Sequence, residues 1–281
     1  MLSPLLFWGG QALASHGIAT FLQRVDFHSF FDRAVLVAAV VLLWPLTRSL
    51  KIASVSDLGL RKNPKAGRDL WFGLAVAVGS SAILLAWALA VHAWRLPPSS
   101  RWSQVPMILL TAAVVSALEE SLFRGAMQGV VQRSTSKAVA MIFVAALFAV
   151  VHFLRQPENI HIAPESVGWG SGFALVPQVC WQFKNPTTLL GGLTTLFILA
   201  LILGYTRLKT ASLWLPCGLH AGWVIGAKVG TMSWVKIGKR GITTLPWFGA
   251  DLITGLSPVL VLAVTGAFLV WWVGRGPKPQ A

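Results

Sequence analysis

Five residues of this chain have the types and positions to do acid–base chemistry: Glu119, Glu120, Arg124, His152 and His220. Their surroundings set them apart. Glu119, Glu120 and Arg124 fall inside the apolar block Val105–Val131, His152 inside Ala138–Leu154, and His220 inside Leu213–Val229. A charge at the centre of a bilayer costs roughly 2.5–3.5 kcal/mol on insertion scales, so ionisable groups kept there are functional by default. The bland alternative is one structural ion network.

Helix geometry divides the labour among them. At about 100° per residue, Glu120 and Arg124 lie about 40° apart and one turn along, while Glu119 and Arg124 are about 140° apart. The spacing predicts that Arg124 neutralises Glu120 and leaves Glu119 free to act as a general base. Glu119 and His152 come at similar distances from the short link Arg133–Lys137. An antiparallel hairpin would therefore bring them to similar depth. His220 sits in the run Leu215 to Trp223 beside Gly218, Ala221 and Gly222, small residues that let a helix or a substrate approach closely. Glu119, His152 and His220 together can activate a water molecule and stabilise an oxyanion.

Two histidines and a carboxylate are also a common catalytic zinc set. The chain has no HExxH and no other compact ligand spacing, so the metal-free reading is preferred and no cofactor is expected. His16, His28, His92 and His161 lie near segment ends or in loops and read as bystanders.

The elements that must position these groups follow from composition. Of 281 residues, 55% are hydrophobic and 11% charged, and the apolar residues come in long blocks. Only helices satisfy their own backbone in lipid, so each block reads as a helix. The blocks are Ala34–Leu50, Leu70–Ala93, Val105–Val131, Ala138–Leu154, Thr187–Tyr205, Leu213–Val229 and Leu252–Val273. Pro4–Leu22 adds an eighth span if it crosses rather than lies on the surface. The expectation is an all-α membrane protein of seven or eight transmembrane helices. It forms one membrane domain over 1–281, with an N-terminal segment 1–33, a helical core 34–273 and a basic tail 274–281. Met1–Leu22 has no basic start and no obvious cleavage site, so it does not read as a signal peptide.

The net charge of +14 is carried mostly between apolar blocks, where it sets topology and meets anionic lipid. No base-reading motif accompanies it, so nucleic acid is not an expected partner. The basic stretch Arg48 to Arg68 predicts a cytoplasmic loop. Alternation puts Arg133–Lys137, Arg207–Lys209 and the tail with Arg275 and Lys278 on the same side. Lys228, Lys236, Lys239 and Arg240 fall on the other. Arg155–Pro186 reads as a long connection without a clear element, either a lid or re-entrant segment over the site or a plain loop. Cys180 and Cys217 lack CxxC spacing and read as ordinary thiols.

Glu119-Glu120-x-x-x-Arg124, then Phe148-x-x-x-His152, then His220 in a late helix resemble the motifs of the CPBP family of CAAX proteases and bacteriocin-processing (Abi) proteins. The resemblance runs from about Ser54 to the His220 helix. It implies an all-helical intramembrane endopeptidase of the glutamate type, in a multi-pass cell-membrane protein, acting on a membrane-associated peptide or protein. In such proteins the first Glu and first His activate water, which corresponds to Glu119 and His152. The later His, with an Asn or Asp four positions on, forms the oxyanion site. That corresponds to His220 and position 224, which is Val here. Trp223 or a backbone donor is the substitute within reach, and Glu120, Arg124 and Phe148 complete the supporting set. Two other readings stand beside this one. A proton-coupled transporter would use Glu119 and His152 as a relay, though no repeated halves are seen. A non-catalytic immunity or binding protein that keeps the fold would explain Val224.

Overall fold

A computed structural model describes residues 2–49, 51–58, 60–95, 102–154, 161–184, 186–233, 235–236, 246–249 and 251–275. Lys239, Arg240, Arg155, Pro157 and Lys278 lie outside the described residues. The helices in chain order are α1 (Leu2–Ser15), α2 (Phe27–Ser49), α3 (Ala66–Ala90), α4 (Val105–Glu120), α5 (Gln128–Ser134), α6 (Lys137–Val151), α7 (Ser171–Leu175), α8 (Pro186–Thr210), α9 (Trp214–Ser233) and α10 (Leu256–Gly274). Strand pairing among the described residues is confined to Trp94–Arg95 against Val235–Lys236. The chain forms two compact units, Met1–Ser49 with Val150–Pro186, and Leu50–Ala149 with Thr187–Ala281.

In the first unit α1 and α2 pack through aromatic edges. Phe7 meets Phe27 and Phe30 at 5.6 and 5.4 Å between ring centroids. Val167 and Leu175 join this core. The described part of the long connection, which reads from sequence as lacking a clear element, thus has elements of its own. It folds into short turns, α7 among them, and is held by apolar burial. Trp169 packs edge-on against Trp8, and His161 pairs with Asp26 at 2.8 Å. From sequence, Pro4–Leu22 either spans or lies on the surface. With 14 residues, α1 is about 21 Å long, too short to cross about 30 Å of hydrocarbon.

The second unit carries the membrane signature. Among the described residues four helices are long and apolar enough to cross a bilayer: Ala66–Ala90, Trp102–Ser134, Leu189–Thr210 and Leu256–Gly274. Seven or eight spans are not reached by that measure, for physical reasons. The 15 residues of α6 extend only about 22 Å. In α9 four glycines, His220 and Lys228 dilute the apolar run. The outward faces of the spans are nonetheless apolar: Ile83, Leu110, Val114 and Val264 are all exposed. Exposed apolar surface of this extent suits lipid, not water.

Aromatic residues mark one end of this unit. Trp71 opens α3, Trp214 opens α9, Tyr205 lies near the end of α8, and Trp271 and Trp272 near the end of α10. Cations lie over several of these rings: Arg275 over Trp271 at 3.8 Å, Arg68 over Trp272 at 5.7 Å, Lys209 over Tyr205 at 5.6 Å. Such rings and long basic side chains favour the headgroup level. The basic loops gather here too. The Arg61 backbone N–H donates to the Ala211 carbonyl at 2.7 Å, and Arg133 Nη2 donates to the Asp57 carbonyl at 3.5 Å.

Glycine sets how α3 and α9 meet. A Cβ on Gly73 would stand 2.7 Å from the Leu215 carbonyl, and one on Gly222 2.6 Å from Ala77 Cβ and 2.8 Å from the Leu74 carbonyl. Bare backbone is what lets the helices touch. Their starts are tied by polar bonds. Asn63 Nδ2 donates to Asp69 Oδ2 at 2.8 Å and to Ser212 Oγ at 3.3 Å. The depth of α9 against α3, and with it the depth of His220, is set by these contacts.

Candidate active site

The carboxylate pair closes α4, and the next residues do not continue the α-helix. Ser121–Met127 is a π-helical stretch, followed directly by α5. The Gln128 N–H donates to the carbonyl of Phe123, five residues back. A widened turn of this kind is rare and clusters at functional sites. Four residues of a regular α-helix overshoot one turn by about 40°. The wider turn reduces that drift, so Glu120, Arg124 and Gln128 stay on one buried face.

That face holds a compact ionic cluster. Glu120 is 0% and Arg124 1% exposed. Arg124 Nη1 donates to Glu120 Oε1 at 2.9 Å, the pair that the spacing predicts. Arg124 Nη2 reaches the Ala200 carbonyl of α8 at 3.4 Å, and its guanidinium lies over the Phe148 ring at 4.3 Å. Phe148 in turn meets Phe123 and His220 edge-on, at 5.1 and 5.9 Å between centroids.

His220 comes in from α9, six residues beyond Trp214 and therefore about 9 Å from the aromatic level. Its Nδ1 is 2.8 Å from Glu120 Oε1, and its Nε2 is 3.8 Å from Glu119 Oε2. An ionised Glu120 can only accept, so Nδ1 carries the hydrogen of that bond. The 3.8 Å separation is longer than a hydrogen bond. Glu119 is therefore not the isolated carboxylate that helical spacing alone suggested: it faces the imidazole, at the rim of the cluster, and is partly exposed.

Other candidate residues fall differently. The Trp223 indole N–H donates to Ser80 Oγ at 3.0 Å, and Ser80 donates to the Ala77 carbonyl at 2.9 Å, so the ring is spent on α3. Val224 is half-buried. His152 follows directly on the last residue of α6, half-buried, and belongs to the first unit. Cys217 Sγ lies 4.0 Å from the Ser116 carbonyl, on the turn before His220. Among the described residues no three His, Cys, Asp or Glu side chains are grouped to hold a metal ion. Sequence reasoning passed over Ser80 and Gln128. The signal for Gln128 was available: it continues the four-residue spacing of Glu120 and Arg124.

Inside apolar helices, then, a carboxylate pair, an arginine and a histidine make a buried ionic cluster. Residues 101–226, which carry the motifs of α4 to α9, match the family described as type II CAAX prenyl endopeptidase Rce1-like. Over that stretch the chain is similar to this peptidase family. No curated protein and no solved structure matches the chain.

Proposed function

We propose that this chain is a glutamate-type intramembrane endopeptidase that hydrolyses a membrane-associated peptide or protein. The observation that carries the reading is the placement of His220 between the two carboxylates, within the stretch of family likeness. Glu119 takes a proton from water as the oxygen attacks the scissile carbonyl carbon. In its doubly protonated form, with Nδ1–H held on Glu120, His220 then steadies through Nε2–H the oxygen that gains the charge. When the C–N bond breaks, the proton held by Glu119 passes to the leaving nitrogen. Glu120, locked by Arg124, aims the ring and balances its second proton, as an aspartate does for a catalytic histidine elsewhere. His152 helps hold and polarise the water. Its support is the sequence motif, which sets it one turn beyond Phe148. The reaction needs no metal, and the protein sits in the cell membrane as a multi-pass protein with its basic end cytoplasmic.

The test is cleavage of membrane-anchored peptides by the purified protein in proteoliposomes, wild type against Glu119→Ala, with and without a strong chelator. Cleavage that is lost in the variant and survives chelation is expected. Cleavage that persists in Glu119→Ala sinks the assignment, and zinc-dependent recovery after chelation would make these residues metal ligands.

A further inference from the structure

The buried face of the long helix changes character at Glu120. Every fourth residue faces inward: Ile108, Ala112, Ser116, Glu120, Arg124 and Gln128 are all buried, and Gln132 is half-buried. Before Glu120 this stripe is apolar or small. After it, every member is polar, out to the basic end of the unit. Apolar side chains would pack there at no desolvation cost, so the polarity calls for a reason.

The hydrogen bonding along the stripe is incomplete. Gln128 is 0% exposed, and its Nε2 donates to the Gly204 carbonyl at 3.4 Å, yet its Oε1 has no partner among the described residues. Gln132 Oε1 accepts from Arg207 Nη1 at 2.9 Å, while its Nε2 has no partner among the described residues. The second oxygen of Glu120, Oε2, has none among them either. Buried polar atoms left over by the protein are normally met by water. Gly204 lets α8 come close to this amide and to Met141: a Cβ there would stand 3.2 Å from Gln128 Oε1 and 2.9 Å from Met141 Cγ. Gly204 also adjoins Tyr205, so Gln128 lies near the aromatic level, between headgroup water and the ionic cluster.

We propose that Gln128 and Gln132 line a narrow wet path that carries water from the basic end of the unit to Glu120 and Arg124. Gln128 is then a positioning residue for the water that the cluster consumes, a role that rests on the hydrolytic reading above. The amide is suited to it because it can donate to one water and accept from another without adding charge.

Two readouts test this separately. Hydroxyl-radical footprinting in proteoliposomes reports water beside Met141 and needs no substrate. Met141 should be oxidised in the wild type and several-fold less in Gln128→Leu, with the lipid-facing Met107 unchanged in both. Turnover in Gln128→Leu should fall about tenfold, the scale of one lost hydrogen bond at the transition state, with little change in KM. Gln128→Ser, small and polar, should keep both signals. Should Gln128→Leu not fold, Gln132→Leu gives the same comparison at the half-buried end. A Met141 footprint that Gln128→Leu leaves intact overturns the path. A footprint that falls while turnover stays at the wild-type level overturns the supply role. If the wild type cleaves nothing, the footprint still decides the path, and it is the peptidase reading that falls.

Discussion

His220 engages both members of the adjacent carboxylate pair: Nδ1 stands 2.8 Å from Glu120 Oε1 and Nε2 3.8 Å from Glu119 Oε2. The two carboxylates are neighbours in sequence and opposites in task. Glu120 Oε1 is shared between an imidazole and a guanidinium, whereas Glu119 faces the other ring nitrogen and is partly exposed.

This asymmetry predicts opposite variants. Glu120→Gln strands a buried guanidinium, and breaking a buried pair costs roughly 3–5 kcal/mol. It should express poorly or melt early in detergent, losing activity through stability. Glu119→Gln should fold about as well as the wild type and lose hydrolysis, because an amide takes no proton from water. Thermal stability and turnover for both variants check it. An unstable Glu119→Gln beside a stable, inactive Glu120→Gln would reverse the assignment of the base.

Trp223 is committed to Ser80, so Trp223→Phe should cost about 1 kcal/mol, the scale of one internal hydrogen bond, and leave turnover nearly unchanged. A large drop in turnover at unchanged melting temperature would instead show the indole serving the oxyanion.

The α3–α9 seam predicts that Gly222→Ala is far from conservative. The added methyl meets Ala77 Cβ and the Leu74 carbonyl, and overpacking of this kind costs typically about 1–3 kcal/mol. His220 would move off Glu120, so activity should fall along with the melting temperature. Gly79 of α3, where a Cβ meets nothing within 4 Å, is the control, and Gly79→Ala should be silent.

The connection after His152 reads as either a lid or a plain loop, and its packing changes how the lid reading can be tested. Replacing 166–176 with a Gly/Ser linker would remove Val167 and Leu175 from the core of the first unit. Leu175→Ala alone should cost about 2–5 kcal/mol of local stability. Protease nicking between 161 and 184 should rise in that variant. No rise would mean that burial of Leu175 does not hold the segment.

Asp57 provides a pH handle outside the membrane. The backbone N–H groups of Ser54 and Ala53 both donate to Asp57 Oδ2 at 2.8 Å, and they hold its carboxyl below the ordinary 3.8. A carboxylate depressed in the folded state favours folding above its unfolded pKa. That contribution is lost as pH falls through the depressed folded value. The turn at Val55–Leu58 should therefore stay formed at pH 4 and loosen only in stronger acid. Titration of the labelled Asp57 carboxyl carbon checks it. A midpoint at or above 3.8 would show that the two N–H bonds do not persist.

Much of this protein is written in its local sequence. Long apolar blocks determine a helical membrane protein, because lipid offers the backbone no other partner. Four-residue spacing determines the Glu120–Arg124 pair, because it follows from the helix repeat alone. The count of spans was less legible. Block length overstates α6, and the glycines of α9 serve packing as well as depth. The fold of 161–184 was illegible, since it is held by apolar contacts to residues more than 100 positions earlier. Tertiary structure alone decided that His220 lands on Glu120 and faces Glu119, and that Trp223 belongs to Ser80. Those pairings join residues 100 and 143 positions apart. They depend on the rotation and depth of α9 against α3, which the glycine contacts and the Asn63–Ser212 tie set, and no periodicity within a single helix encodes them.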